Sequence, residues 1–217
     1  MNKSQKFLTK ELNTIHIHKM HAILTYDGLK PSMIFGYSKK DNLNFKFKEL
    51  GIHGLMKYYK HKNDKNPVCY IAKNEFYLEK IIKSFENVFF RVNKYSNRLM
   101  DPEFYSWSYE LGSVLGYPET SILAYLNQFK NNLTKNIIPQ PYQSDLTSFV
   151  NRKERRIIKV LMPGTVSKEN YHNERLTGLM WEKHIIKNYP GLYFEFFKDE
   201  IVNKFKRNFK FNIFNNH

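Results

Sequence analysis

A chain of 217 residues with 35 Lys and Arg against 20 Asp and Glu carries a net charge of +15. With a mean hydropathy of −0.60 and no apolar run approaching ~18 residues, it is not expected to span a membrane. The lone cysteine, Cys69, rules out an intramolecular disulfide and a Cys-based zinc site within one chain, and points to an intracellular, cytoplasmic setting. Apolar residues reach only 41%, but 18 Phe and 15 Tyr supply bulk for a core. One compact unit over 1–217 is expected, α+β in class, with an antiparallel N-terminal sheet, a helical hairpin and a more helical C-terminal half.

The opening MNKSQKFLTKELN lacks the apolar region of a signal peptide, and Ser4–Leu12 can begin a short helix. Thr14–Leu24 reads as a strand or a helix end. Its three histidines form the one metal-like cluster of the chain. A strand would put His16 and His18 on one face, whereas a helix would join His18 to His21. Either offers two ligands, with Glu11, Asp27 or His53 needed to complete a site, and no bound metal or other cofactor is expected. Asp27-Gly28 signals a turn, Lys30-Pro31 demands an extended residue before the proline, and a loop leads into Ser32–Phe35.

Asn42–Phe47 alternates apolar and polar residues as a half-buried strand does, with Lys46 and Lys48 on its wet face. Leu55–Lys60 and Pro67–Ala72 read as a hairpin around HKNDKN. Within 39–65 eight lysines are interleaved with Phe45, Phe47, Tyr58 and Tyr59. That pattern can track phosphates and stack bases, so Lys46, Lys48, Lys57, Tyr58, Lys60 and Lys62 are the candidate nucleic-acid-binding residues; strand alternation over a core would produce the same interleaving. Cys69, between Val68 and Tyr70, reads as a buried neutral thiol. Glu75–Phe85 is an amphipathic helix through Phe76, Leu78, Ile81, Ile82 and Phe85, and Val88–Val92 can add a strand.

Asp101–Phe129 holds two helix signatures. Asp101 is an N-cap, Pro102 suits the first helical position, and Phe104, Trp107, Leu111, Val114 and Leu115 share one face. Gly116 fits a left-handed helix end and Pro118 opens the second helix, lined by Ile122, Leu123, Leu126 and Phe129. The junction Leu115-Gly116-Tyr117-Pro118 resembles the Leu-Gly-Tyr-Pro element of prokaryotic families of unknown function. In the archaeal family a Cys pair follows the Pro; here Glu119-Thr120-Ser121 stands instead, so no thiol chemistry carries over. Gly28-Leu29-Lys30-Pro31-Ser32-Met33-Ile34-Phe35 is similar to the N-terminal part of a clostridial family that also has a downstream Gly-Tyr-Pro. Neither resemblance implies a function.

Residues 131–143, with Pro139 and Pro141, are the one candidate boundary. Ser144–Asn151 can form a helix, and Arg152-Lys153-Glu154-Arg155-Arg156 follows. Arg152, Lys153, Arg155 and Arg156 form the candidate anion site, because arginine is scarce, 7 against 28 Lys, and its planar fork suits phosphate or carboxylate; a solvated helix end would look alike. Ile157–Met162 reads as a strand and Ser167 as the cap of a helix running to about Asn188, with His184 on its apolar stripe. Pro190-Gly191 closes that helix, and Leu192–Phe197 suits a strand.

No phosphate-binding glycine loop, nucleophile elbow or zinc helix occurs. Residues 1–100 hold 19 basic and 8 acidic residues against 16 and 12 thereafter, so the positive field is concentrated in the first half. The reading is non-catalytic binding of nucleic acid or another polyanion. The alternatives are an enzyme acting on an anionic small molecule or nucleotide, and a subunit that docks an acidic protein partner.

Overall fold

The computed structural model describes residues 1–37, 42–59, 67–88, 102–133, 157 and 171–198. The elements in chain order are α1 (Lys3–Lys6) running into a π-helical turn (Phe7–Glu11), α2 (His16–Tyr26), β1 (Ser32–Gly36), α3 (Leu43–Glu49), β2 (Gly54–Lys57), β3 (Val68–Ala72), α4 (Glu75–Glu86), α5 (Pro102–Val114), α6 (Glu119–Leu133), α7 (Tyr171–Asn188) and α8 (190–198). The architecture is α+β: a three-stranded antiparallel sheet in the order β1-β3-β2, with the described residues of the second half mostly helical.

Side-chain alternation in the central strand organises both cores. Cys69 and Ile71 face one way with their β1 partners Phe35 and Met33, into a core completed by Leu8, Leu12, Met20, Ile23, Leu24 and Phe47 and by Trp181, Ile185, Leu192 and Phe197 from α7 and α8. Tyr70 faces the other way beside Ile34 and Val68, against Ile81 of α4 and Val114 of α5. Helices therefore cover the sheet on both faces. The hairpin expected from 55–72 is the β2–β3 pair, with Leu55 opposite Tyr70 and Met56 opposite Cys69.

Two predicted strands are helices. At 43–49 the Asn42 side chain accepts a hydrogen bond from the Phe45 amide, 3.2 Å, and caps a helix whose buried residues Leu43 and Phe47 lie one turn apart. The i, i+4 pair outcompetes the alternation, and Phe45, taken as inward, points to solvent. At 190–198, Pro190 does not end the structure but occupies a first helical position, where its missing N–H is harmless, and Tyr189, Leu192 and Phe197 recur at helical spacing on the buried side. The open choice at 14–24 resolves as helix. The hairpin of α5 and α6 has the expected turn, with Gly116 at φ +76°. Ile157, the one described residue of the predicted 157–162 strand, is buried and helical.

Candidate functional site

The lysine-aromatic surface is built where α3 lies along β2. Asn44 clips the two together: its Oδ1 accepts from the Met56 amide at 2.6 Å and its Nδ2 donates to the Met56 carbonyl at 3.1 Å. Phe45, next to that clip on α3, is 66% exposed, and Tyr58, just past β2, is 62% exposed. Lys46 and Lys48 lie in the last turn of α3, where cations complement the helix C-terminus. Lys46 Nζ sits 3.0 Å from Glu49 Oε2, and Lys57 is ion-paired with Glu86. Lys48 pairs with none of the described acidic residues. Of the predicted nucleic-acid-binding residues, Lys46, Lys48, Lys57 and Tyr58 are thus on adjoining elements, whereas Lys60 and Lys62 lie outside the described residues, as do Arg152, Lys153, Arg155 and Arg156.

Glu86 anchors a second network. Its Oε1 accepts from Tyr59 Oη at 2.8 Å, and Tyr59 and Tyr70 share a 2.6 Å hydroxyl contact that reaches the buried face of the sheet. Burial first, then the neighbouring hydroxyl and carboxylate, push the Tyr70 phenol far up; it stays neutral. The interleaving seen in the sequence therefore sorts by position: Tyr58 faces solvent, while Tyr59 and Phe47 serve the core.

The least expected group is Lys30, which lies where the Gly28–Phe35 stretch meets the Leu115–Pro118 corner. Ser32 Oγ donates to the Val114 carbonyl at 2.6 Å, and a Cβ on Gly116 would stand 2.6 Å from Pro31 Cδ, so the Gly28–Phe35 stretch is packed on the Leu115–Pro118 corner. Lys30 is turned inward between them and is 1% exposed. Its Nζ shares a 2.7 Å hydrogen bond with His21 Nδ1 and lies 4.9 Å from the Trp181 ring centre and 5.3 Å from that of Tyr117. Among the described residues no carboxylate pairs with it. Burying an unpaired ammonium costs several kcal/mol, which aromatic faces offset by only ~2 kcal/mol. Burial accordingly pulls its amine from 10.5 down to about 7. The Lys-Pro dipeptide gave no sign of this, because nothing local marks a lysine for the interior.

One turn along α7, His184 Nε2 and Tyr189 Oη each lie 2.7 Å from Asp27 Oδ2, and Gln5 Nε2 donates to Tyr189 Oη at 2.8 Å. His184 was expected as a packed core residue; it is a partner of Asp27 instead. The three N-terminal histidines do not converge. His18 bonds Thr14 Oγ1 at 2.9 Å and rests on Phe35, and His21 turns to Lys30. Among the described residues no three His, Cys, Asp or Glu side chains form a metal-like group, and no helix is long and apolar enough to cross a membrane. Cys69 is fully buried in β3, and burial pushes its thiol well up. Compared with protein-family models, curated proteins and solved structures, the chain finds no match.

Proposed function

We propose that the chain binds nucleic acid without catalysing a reaction on it, through the surface where α3 adjoins β2, and that it takes single strands. What carries this reading is the pair of exposed rings, Phe45 on α3 and Tyr58 just past the end of β2, at two elements clipped together by Asn44 and flanked by Lys46, Lys48 and Lys57. An apolar ring held in solvent gains by stacking on an unpaired base. Nearby ammonium groups then follow the phosphates. The net charge of +15 supplies the attractive field. A duplex hides its base faces and leaves only the phosphate term.

The test is equilibrium binding of mixed-sequence single strands and of duplex of equal length at several salt concentrations. Single strands should bind more tightly, with log affinity falling linearly against log salt. Phe45→Ala and Tyr58→Ala should each lose about 5- to 150-fold for single strands, equivalent to ~1–3 kcal/mol per stacked base, and little for duplex. Equal loss on both substrates would reduce the surface to diffuse charge. No binding even at low salt would refute the reading, leaving anionic small molecules and acidic proteins as the ligands to try.

A further inference from the structure

Three elements close over one amine. Lys30 reaches from the loop before β1 to His21 on α2, and is roofed by Tyr117 of the α5–α6 corner and Trp181 of α7. The closed arrangement suits a free amine and not an ammonium: the 2.7 Å contact with His21 Nδ1 is the one hydrogen bond of Lys30 Nζ among the described residues, where an ammonium has three N–H groups to satisfy, and no described carboxylate offers a counter-charge. It is also poor for the indole, since Trp181 Nε1 is buried with no hydrogen-bond partner among the described residues. Opening to water would hydrate both groups at once.

We propose that Lys30 is a proton-operated latch: as the free amine it lets α7 and the Gly116–Tyr117 corner close over the loop of residues 27–32, and on taking up a proton it drives them off that loop into water. This inference is independent of the nucleic-acid reading. The direction follows from linkage. Burial holds the closed amine near 7, whereas the hydrated amine returns to 10.5. Between those limits the open form binds more protons, so lowering the pH favours opening; below about pH 7 both forms are charged and the effect levels off.

The other described groups near the junction have partners of their own. Burial pushes the Tyr117 phenol up to about 12, so it stays neutral throughout. On α7, Glu174 accepts from Thr120 Oγ1 at 2.8 Å and Glu182 from Tyr193 Oη at 2.7 Å, each facing a different neighbour. His184, one turn further along α7, faces Asp27 at 2.7 Å and not Lys30. Among the described residues, His21 is the imidazole in direct contact with Lys30 and is therefore the group to be separated from it.

Hydrogen exchange read by mass spectrometry, corrected for the intrinsic pH dependence of exchange, tests the latch on the whole chain. In peptides covering 20–33, 112–119 and 176–188, protection should fall about 50-fold between about pH 9 and about pH 7, and only about twofold further to about pH 5. Lys30→Met, neutral and of similar length, should abolish the fall. His21→Gln, which keeps an acceptor but does not titrate, should leave it in place. A wild-type protection independent of pH, a fall confined below pH 7, a fall that survives Lys30→Met, or one that vanishes in His21→Gln would each overturn the proposal. Should Lys30→Met fail to fold, the shape of the wild-type profile and the His21→Gln profile still decide.

Discussion

Adding one methyl group at Gly116 separates conformational strain from packing at the junction. Gly116 and Gly28 end α5 and α2 with the same turn. In the first, the amides of Gly116 and Tyr117 bond the carbonyls of Ser113 and Gly112; in the second, those of Gly28 and Leu29 bond Thr25 and Leu24. Both glycines are left-handed, φ +76° and +81°. They differ in what a Cβ would meet: nothing within 4 Å at Gly28, but Pro31 Cδ at 2.6 Å at Gly116. Gly28→Ala therefore carries only the backbone penalty of ~1–2 kcal/mol, partly offset by ~0.4–1 kcal/mol from a less flexible unfolded chain. Gly116→Ala adds overpacking of ~1–3 kcal/mol, because Pro31 cannot easily retreat: its carbonyl accepts from the Lys73 amide at 2.9 Å and Lys30 is buried beside it. The expected loss is ~3 kcal/mol, a fall in Tm of about 6–12 °C at this chain length, against ~1 kcal/mol for Gly28→Ala. Urea unfolding of both variants measures the difference, and Pro31→Ala in the Gly116→Ala background should recover most of the extra term. Equal losses at the two glycines, or no recovery, would refute the contact.

Other substitutions probe the remaining polar links. Asp27→Ala removes the acceptor shared by His184 and Tyr189 and should cost ~2–4 kcal/mol in urea unfolding; a loss below ~1 kcal/mol would mean water replaces it. Asn44→Ala breaks both bonds to Met56 and should cost ~1–3 kcal/mol while raising exchange in α3 and β2, whereas unchanged exchange would show that Leu43 and Phe47 hold α3 unaided. Cys69, buried and with its thiol pushed up, should resist iodoacetamide at about pH 8 in the native state and react fully in denaturant; native-state labelling would contradict its place in β3.

What the sequence made legible was local. The α5–α6 hairpin, α4 and the β2–β3 pair are each specified by neighbours in the chain: Gly116 and Pro118 punctuate, Asn74 caps α4 by accepting from the Tyr77 amide at 3.1 Å, and the hairpin strands pair across one loop. The α+β class follows from the same signals. Where two periodicities competed, alternation misled. Phe45 and Phe47 look like a strand's inward face, yet Asn42 caps a helix on which Leu43 and Phe47 pair and Phe45 is released to solvent. Pro190 was likewise read as a stop because proline ends and begins helices with equal ease. The junction was the least legible part. Lys30 is buried by residues 9 positions before it and some 90 and 150 after it, a rough measure of how far the chain must fold before its surroundings exist.

The buried and paired lysines also change what the net charge can be asked to explain. On the proposed reading the field of +15 draws in a polyanion, but Lys30 is sealed inside, Lys57 is committed to Glu86 and Lys46 to Glu49. Among the described lysines near the exposed rings, Lys48 is the one without a described acidic neighbour, so these lysines can neutralise few phosphates. Each phosphate contact steepens the salt dependence by roughly 0.7 for single strands, so one to three contacts from Lys46, Lys48 and Lys57 give a slope of about 0.7–2. Stacking on Phe45 and Tyr58 depends little on salt. The two contributions therefore separate on one plot: alanine at either ring should lower the affinity extrapolated to ~1 M salt with the slope unchanged, while Lys48→Gln should flatten the slope and leave that extrapolated value in place. A steep slope with no affinity left at high salt would mean that the lysines bind as a diffuse cloud and that the rings are exposed for another reason.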